Sequence, residues 1–154
     1  MSTSTASDTA DLTIQQLSRR TGLAESALRY YERIGLIDAV PRDRSSGHRR
    51  YPPALVATVE SLACLRDTGM SVVDMRAYVH NMRRGPAAAA DQCRLFADRA
   101  AHLRTEIARL QVREQYVSAK SRMWAARERG DHAAEQAEIP GIIELSERLL
   151  GSHV

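Results

Sequence analysis

Thiols are scarce in this chain of 154 residues, which has only two cysteines, Cys64 and Cys93. Two cysteines do not make a disulfide scaffold, so we expect a protein of the reducing cytoplasm. They lie far apart in the sequence, and the histidines are scattered, so the spacing of a metal site is missing. An iron–sulfur cluster, which takes about four thiolates, is excluded unless subunits share it. We therefore predict no metal and no cofactor.

Long apolar runs are also lacking. No stretch approaches the roughly 18 consecutive apolar residues of a membrane span, so no membrane partner is expected. The opening residues MSTSTASDTA have neither a basic region nor an apolar segment, which predicts a disordered tail over residues 1–11 and no export signal. The chain also has no nucleophile–base pairing and no glycine-rich phosphate loop, so we do not expect an enzyme.

Lysine is nearly missing, because Lys120 is the only lysine among 22 basic residues. The net charge of +3 is modest and does not by itself indicate nucleic acid. A base-composition bias of the source genome explains the preference for arginine as readily as function does. The position of the arginines is therefore more informative than their number.

Residues 14–35 have the pattern of two short helices around a glycine turn. Thr13 followed by Gln16 predicts a capping box at the start of the first helix, and Gly22 ends that helix. In the second helix, apolar residues recur at helical spacing and leave five others for the remaining faces. The apolar set is Leu23, Ala27, Leu28, Tyr31 and Ile34, and the other set is Glu25, Ser26, Arg29, Tyr30 and Arg33. The exposed Ser26, Arg29, Tyr30 and Arg33 suit contact with DNA. This pattern predicts a helix-turn-helix, whose second helix enters the major groove of DNA.

An arginine-rich turn follows between Leu36 and Tyr51. Short extended runs on either side of a polar, glycine-containing segment predict a two-stranded hairpin, or wing. Between Pro41 and Tyr51 the basic residues, Arg42, Arg44, Arg49 and Arg50, outnumber the single acidic Asp43. Guanidinium groups bind phosphate by paired hydrogen bonds, so the wing is a predicted DNA-backbone contact. Two more helices, the second capped by Ser71 with Asp74, complete a predicted DNA-binding domain over residues 12–85.

Residues 86–130 predict one long helix, because no glycine or proline interrupts the segment between Pro86 and Gly130. Large apolar residues recur every seven positions along it, which is typical of a coiled coil that dimerises. The dimerisation residues are Phe96, Leu103, Ile107, Leu110, Val117 and Trp124. A helix packed on its own domain is the alternative, but such a rod is too long for a small domain to cover.

The last segment, residues 131–154, is predicted as a loop around Pro140-Gly141 followed by a short amphipathic helix. It is too short for a separate ligand-binding domain. We expect the helix to dock on the coiled coil or on the partner's DNA-binding domain.

The runs LRYYERIGLI, RSSGHRRY and LRDTGMS together closely resemble the amino-terminal domain of the MerR family of transcriptional regulators, over about residues 12–85. Ala24 departs from the family's usual Ser or Thr cap, and Pro52-Pro53 from its usual start of helix three. The missing cap costs about 1 kcal/mol, and neither change removes an expected DNA contact. The expected contacts are Thr13, Ser26, Arg29, Tyr30, Tyr31, Arg33, Arg42, Arg44, His48, Arg49, Arg50 and Tyr51.

The resemblance implies an all-α fold with a small β wing, in which a winged helix-turn-helix domain precedes a long antiparallel dimerisation coiled coil. It also implies a homodimer that binds a pseudo-palindromic promoter in double-stranded DNA and distorts the spacer so that RNA polymerase can engage. An adaptor whose winged domain binds protein is the alternative. The wing arginines favour DNA, since an adaptor has no need to concentrate phosphate-binding groups.

The segment CLRDTGMS, which begins at Cys64, resembles the aldehyde- and electrophile-responsive branch of the family, of the AdhR and NmlR type. A thiolate is the reactive form of cysteine, and nearby Arg66 could favour it, so Cys64 is a candidate sensing residue. A small buried hydrophobe is the other interpretation of Cys64, and packing is the favoured one for Cys93. A regulator that senses a non-covalent ligand also stays open.

Overall fold

A computed structural model describes residues 10–151, and within them the regular elements are helices. In chain order they are α1 (Ile14–Thr21), α2 (Glu25–Arg33), α3 (Pro53–Asp67), α4 (Val72–Arg84), a 3₁₀ turn (Gly85–Ala88), α5 (Ala89–Glu128) and α6 (His132–Gly151). The chain divides into two compact units, with the boundary in the sequence between Leu95 and Phe96. The predicted division into a tail, a DNA-binding domain, a coiled coil and a docking segment stays a prediction.

Side-chain caps and a left-handed glycine define the ends of α1. Thr13 accepts a hydrogen bond from the Gln16 amide at 3.2 Å, and the Gln16 side chain accepts one from the Thr13 amide at 2.8 Å. This confirms the capping box. Gly22, at φ 72°, takes the left-handed conformation that ends the helix, which a residue with a Cβ adopts only at a cost. Ala24 occupies the N-cap position of α2 and provides no side-chain cap, as the sequence indicated.

One apolar cluster holds the N-terminal unit together. Leu17 of α1 and Leu28 of α2 are completely buried, and α3 and α4 add Val59, Leu62 and Met75. Pro53 lies in the first turn of α3, where its missing N–H is not needed, and Ser71 caps α4 by accepting from the Asp74 amide at 3.1 Å. The first four helices therefore form the predicted helical core.

The predicted two-stranded wing is not confirmed as strands. The described residues contain only two isolated antiparallel bridges: Arg42 with Arg49, between α2 and α3, and Tyr51 with Leu12, which precedes α1. A tight turn takes up the residues between Arg42 and Arg49, where the Gly47 amide donates to the Asp43 carbonyl at 2.8 Å. Only one bridge closes this turn. The chain therefore reverses direction as it would in a hairpin, but it does not form a ladder of paired strand residues. Residues 38–50 are called the wing loop below.

Helices α5 and α6 build a second, smaller core in the C-terminal unit. Gly130, at φ 70°, allows the sharp reversal between them, and the Asp131 side chain accepts from the Ala134 amide at 3.0 Å to cap α6. Ala119 and Met123 of α5 pack against Ile142 of α6. This contact places α6 against α5, one of the two docking positions that the sequence left open.

The predicted loop at Pro140-Gly141 is wrong, because α6 continues through both residues as one helix of 20 residues. Proline in a helix interior removes one hydrogen bond and strains the preceding turn. Alanine, glutamate and glutamine fill residues 133–138 and favour helix strongly, and Ile142 is anchored in the core on the other side. The packing of Ile142 and the helix propensity of residues 133–138 therefore outweigh the cost of Pro140.

None of the helices in residues 10–151 combines the length and apolar content that crossing a bilayer requires. The predicted disordered tail at residues 1–11 falls mostly outside the described part of the chain.

Candidate nucleic-acid interface

Helix α2 presents a polar face beside the wing loop. Ser26, Arg29, Tyr30 and Arg33 are all exposed on it, as the helical spacing predicted. The Arg33 guanidinium carbon lies 5.3 Å from the centre of the Tyr30 ring, within cation–π range. Arg29 donates to Glu25 at 3.1 Å, one helical turn back. These contacts are exposed and weak, so the side chains remain available to another molecule.

A basic cleft of about 390 Å³ runs between the start of α1, the face of α2 and the wing loop. Six of its lining residues are predicted DNA contacts from separate parts of the sequence: Thr13, Arg29, Arg42, His48, Arg49 and Arg50. These six residues, which come from three parts of the sequence, therefore converge on one surface. Arg44 lies exposed at the tip of the wing loop.

Asp43 organises the tip of the wing loop from within. Its carboxylate accepts from the Ser46 amide at 2.8 Å and from the Ser45 amide at 2.9 Å. Hydrogen bonds from the Ser45 hydroxyl, the two amides and the Ser46 hydroxyl hold the pKa of Asp43 far below its ordinary value. Asp43 thus serves the turn, and Arg42 binds the Gly47 carbonyl at 3.0 Å instead of pairing with Asp43.

Glu32 ties the wing loop to α2, a role that the sequence analysis missed. Its carboxylate accepts from the Val40 amide at 3.0 Å and from Arg49 Nε at 2.7 Å. Burial acts to raise the pKa of Glu32, but the hydrogen bonds from Val40 and Arg49 outweigh it and lower the pKa below its ordinary value. In the sequence, the available signal for this role was the position of Glu32 as a single acidic residue in a run of arginines and tyrosines.

Two of the predicted DNA contacts lie in the core. Tyr31 is 3% exposed and Tyr51 is fully buried, so neither side chain faces the cleft, and their position differs from the one expected. Their rings fill the core behind α2 and below the wing loop, where aromatic area contributes most to stability. The Tyr51 hydroxyl is buried without a hydrogen-bond partner. Its burial, and the nearby Glu32 carboxylate, raise the pKa of Tyr51.

The two cysteines are both exposed, which contradicts the interpretation of Cys64 as a buried hydrophobe. Cys64 opens into a surface depression of about 750 Å³, with Arg66 and Asp67 on its rim. Cys93 lies on α5. The sequence predicted that it packs in the interior, but in the single chain it is exposed.

Heptad positions of α5 form an apolar stripe on the C-terminal unit. Ile107, Leu110, Val117 and Trp124 are between 53% and 66% exposed, Phe96 is 39% exposed, and Leu103 is half-buried. Helix α6 leaves the stripe open because it packs on another face: at about 100° per residue, Ala119 points about 200° away from Val117. The Arg127 guanidinium carbon lies 4.4 Å from the centre of the Trp124 ring, while Ile107, Leu110 and Val117 stay exposed.

Comparison with known proteins agrees with this architecture. Residues 12–81 match the family described as MerR HTH family regulatory protein. The heavy metal-dependent transcription regulator 2 of Rhizobium meliloti is 31% identical over 100 residues, which are 65% of this chain and 67% of that protein. The regulator AdhR of Bacillus subtilis is 39% identical over 61 residues, 40% of this chain and 43% of that protein.

The fold is similar to that of HiNmlR, a MerR family regulator lacking the sensor domain, whose crystal structure was solved bound to promoter DNA. That structure covers 80% of this chain and 95% of its own at 24% identity, with a TM-score of 0.66. The helix-turn-helix, the long helix and these matches define a helix-turn-helix regulatory protein. The chain belongs to the MerR family of transcriptional regulators. It spans between 43% and 50% of the length of most of the curated relatives that it matches.

Proposed function

We propose that this protein is a transcriptional regulator that binds double-stranded promoter DNA as a homodimer. The basic cleft is the observation that carries the proposal, because it gathers Arg29, Arg42, Arg49 and Arg50 around one concave surface. Arginine binds phosphate through two parallel hydrogen bonds, and each neutralised phosphate releases counterions. Among curated relatives, AdhR and the Rhizobium meliloti protein are named as transcription regulators.

Within this surface the residues divide by task. Helix α2 enters the major groove, where Ser26 and Arg29 contact base edges and Tyr30 and Arg33 flank the phosphates. Arg42, Arg44, His48 and Arg50 of the wing loop hold the adjacent backbone. Arg49 both binds phosphate and keeps the loop in place through Glu32. Thr13, at the start of α1, faces the same stretch of DNA backbone.

The homodimer rests on the apolar stripe of α5. Sustained heptads need a second helix, and a stripe of this length is larger than single chains ordinarily expose. In the arrangement that the family resemblance implies, the two α5 helices run antiparallel and carry two α2 helices to successive major grooves of a pseudo-palindromic site. Distorting the promoter spacer for RNA polymerase is the regulatory step that follows from the same resemblance.

The direct test is binding of the full chain to the promoter of its own or its neighbouring gene, by fluorescence anisotropy and footprinting. We expect protection of two half-sites about one helical turn apart. A protein that binds no DNA there, or that binds a scrambled fragment equally well at physiological salt, contradicts the proposal. Specific capture of a protein by the N-terminal unit would then favour the adaptor function.

Electrophile sensing through Cys64 is a second, finer hypothesis. Its exposed thiol near Arg66 is accessible to a small electrophile, whereas a buried thiol is not. A reporter driven by the protein's own promoter should respond to formaldehyde, methylglyoxal or a quinone in wild-type cells and not in Cys64→Ser cells. Cys93→Ser is the matched control. An unchanged response in folded, DNA-bound Cys64→Ser protein would exclude this role.

A further inference from the structure

A short connecting segment, residues 34–37, joins the two elements of the proposed DNA interface. It begins where α2 ends and leads into the wing loop. Gly35, at φ 71°, turns the chain out of the helix, and Leu36 and Ile37 are buried in the N-terminal core. Any shift of this segment therefore moves the wing loop relative to α2.

The carbonyl end of α2 takes one hydrogen bond from a distant helix. The last carbonyl groups of a helix have no partner within it and need donors from outside. The Leu36 amide supplies one, since it donates to the Tyr31 carbonyl at 2.9 Å. The Ile34 carbonyl, at the C-cap, accepts instead from Arg76 of α4 at 2.6 Å. A cation at this position also complements the negative end of the helix dipole.

A second arginine of α4 contacts the start of the wing loop. Arg83 donates to the Asp38 carboxylate at 2.6 Å. Arg76 and Arg83 lie seven residues apart, about 10 Å along the helix, so the two side chains leave α4 in nearly the same direction. One face of α4 thus holds both the end of α2 and the start of the wing loop. The contacts of Arg76 with Ile34 and of Arg83 with Asp38 are called the arginine clamp below.

The arginine clamp is separate from the charges of the basic cleft. Neither Arg76 nor Arg83 is among the residues that line the cleft. Both guanidinium groups donate to acceptors of the protein itself, which favours a role in holding the interface over a contact with phosphate. Glu32 ties the wing loop to α2 through Val40 and Arg49. The base of the loop is therefore held from two helices.

The core keeps the connecting segment folded when the clamp is removed. Leu36 belongs to the same buried cluster as Met75 and Val79 of α4. The clamp itself is exposed, since the side chains of Arg83 and Asp38 are 56% and 80% exposed. Exposed charged contacts contribute little to the free energy of unfolding. A variant without the clamp should therefore stay folded and lose only the exact orientation of the segment.

We propose that Arg76 and Arg83 are positioning residues for DNA binding. They fix the direction of α2 relative to the wing loop, so that α2 meets base edges while the loop meets the backbone. This inference rests on the proposed DNA-binding function and assigns to it two residues outside the interface. Base contacts need a fixed register, whereas attraction to phosphate does not. The clamp therefore contributes to specific binding and not to non-specific binding.

The test compares binding to the operator with binding to a scrambled fragment of the same length, by fluorescence anisotropy with the full chain at several salt concentrations. Arg76→Met and Arg83→Met should each weaken operator binding about threefold, and the double variant about tenfold. Binding to the scrambled fragment and the salt slope should keep their wild-type values. A loss of folded protein would weaken both complexes alike, and a lost phosphate contact would reduce the slope.

Three further variants separate the clamp from a general effect of charge. Arg94→Met removes an exposed arginine of α5 that pairs within its own helix, and should leave both affinities unchanged. Arg76→Lys keeps a cation for the Ile34 carbonyl and should retain the operator preference. In an Asp38→Asn background, Arg83→Met should weaken operator binding no further, because the pair is already gone.

Amide hydrogen exchange of the free protein tests the clamp without DNA. The amides of Leu36 and Ile37 both donate to the Tyr31 carbonyl, at 2.9 and 3.3 Å. They should exchange about threefold faster in the double variant than in Arg94→Met, because local opening of the segment becomes easier.

The possible failures are distinguishable. A wild-type chain that binds operator and scrambled fragment alike overturns the proposed function, and with it the DNA role of the clamp, whatever the exchange shows. With a specific wild type, an unchanged operator preference in the double variant overturns the positioning role alone. A reduced salt slope in Arg76→Met or Arg83→Met would assign that arginine to phosphate instead. Unchanged exchange would mean that core packing alone orients the segment.

Discussion

The two compact units differ in where they leave their apolar surface. The N-terminal unit buries most of its large apolar side chains in one cluster, with Val73 and Met82 as exceptions, and presents arginines and hydroxyl groups outside. The C-terminal unit buries a small cluster at the α5–α6 contact and leaves Ile107, Leu110, Val117 and Trp124 exposed. The first unit closes its core within a single chain, whereas the second leaves a stripe that the proposed dimer would cover.

The largest effect should come from a charge on the stripe. Leu110 is 58% exposed in the single chain, so Leu110→Asp leaves both cores intact. In a dimer the same change removes two apolar contacts, each worth about 1.5–3 kcal/mol, and buries two carboxylates. We expect monomers by analytical ultracentrifugation and a loss of operator affinity of at least a hundredfold.

Gln111→Asp is the control for this change, since it adds the same charge next to Leu110 but off the stripe. It should leave the dimer unaffected. A wild-type chain that sediments as a monomer at micromolar concentration would remove the contrast between the two units.

Glu32→Gln should have the next largest effect, this time on the N-terminal unit. It removes the charge that holds Arg49 and weakens the hold on the wing loop, which should lower the free energy of unfolding by about 1–3 kcal/mol at neutral pH. Because the pKa of Glu32 is lowered on folding, its stabilisation is complete above the ordinary pKa of 4.5 and is lost as the pH falls through the folded value. Urea denaturation should show wild type and variant converging in acid.

Glu25→Gln is the matched control, because the Glu25–Arg29 pair lies on the same helix but is exposed on both sides. Exposed pairs of this kind contribute about 0–1 kcal/mol. Equal effects of the two substitutions would mean that Glu32 does not hold the wing loop.

The smallest effect should come from Tyr51→Phe. The variant keeps the buried ring and removes a hydroxyl that has no partner, so stability should rise by up to about 1 kcal/mol while DNA affinity stays unchanged. Tyr30→Phe removes an exposed hydroxyl at the proposed interface and should weaken DNA binding without changing stability. If Tyr51→Phe instead weakened DNA binding severalfold, its hydroxyl would reach a phosphate after a rearrangement.

The sequence predicted those features that depend on local chemistry. The caps at Thr13 and Ser71, the turn at Gly22 and the apolar spacing of α2 are decided by a few neighbouring residues, and the structure confirms each of them. The long helix α5 followed from the absence of glycine and proline across the segment. The polar face of α2 was predictable from the helical spacing of its apolar residues.

Features that depend on packing between distant residues were not predictable. Turn residues around the wing loop indicated a reversal, but whether ladders form depends on contacts across the chain, and the structure has one bridge there. Pro140 indicated a break, and the contact of Ile142 with Met123 outweighs it. Helical spacing placed Tyr31 on the inner face, while the family resemblance placed it among DNA contacts, and the structure agrees with the spacing.

The measurement that tests the account most directly is the salt dependence of operator binding. Arg50 lines the basic cleft and has no ion-pair partner among residues 10–151, so Arg50→Gln changes a phosphate contact alone. We expect Arg50→Gln and Arg49→Ala to weaken binding to all sequences alike and to reduce the slope of log affinity against log salt by about one unit each. Arg104→Gln, which changes an exposed arginine of α5 outside the cleft, should leave the slope at its wild-type value. A slope that stays unchanged in Arg50→Gln, with only the sequence preference altered, would contradict the assignment of the cleft to the DNA backbone.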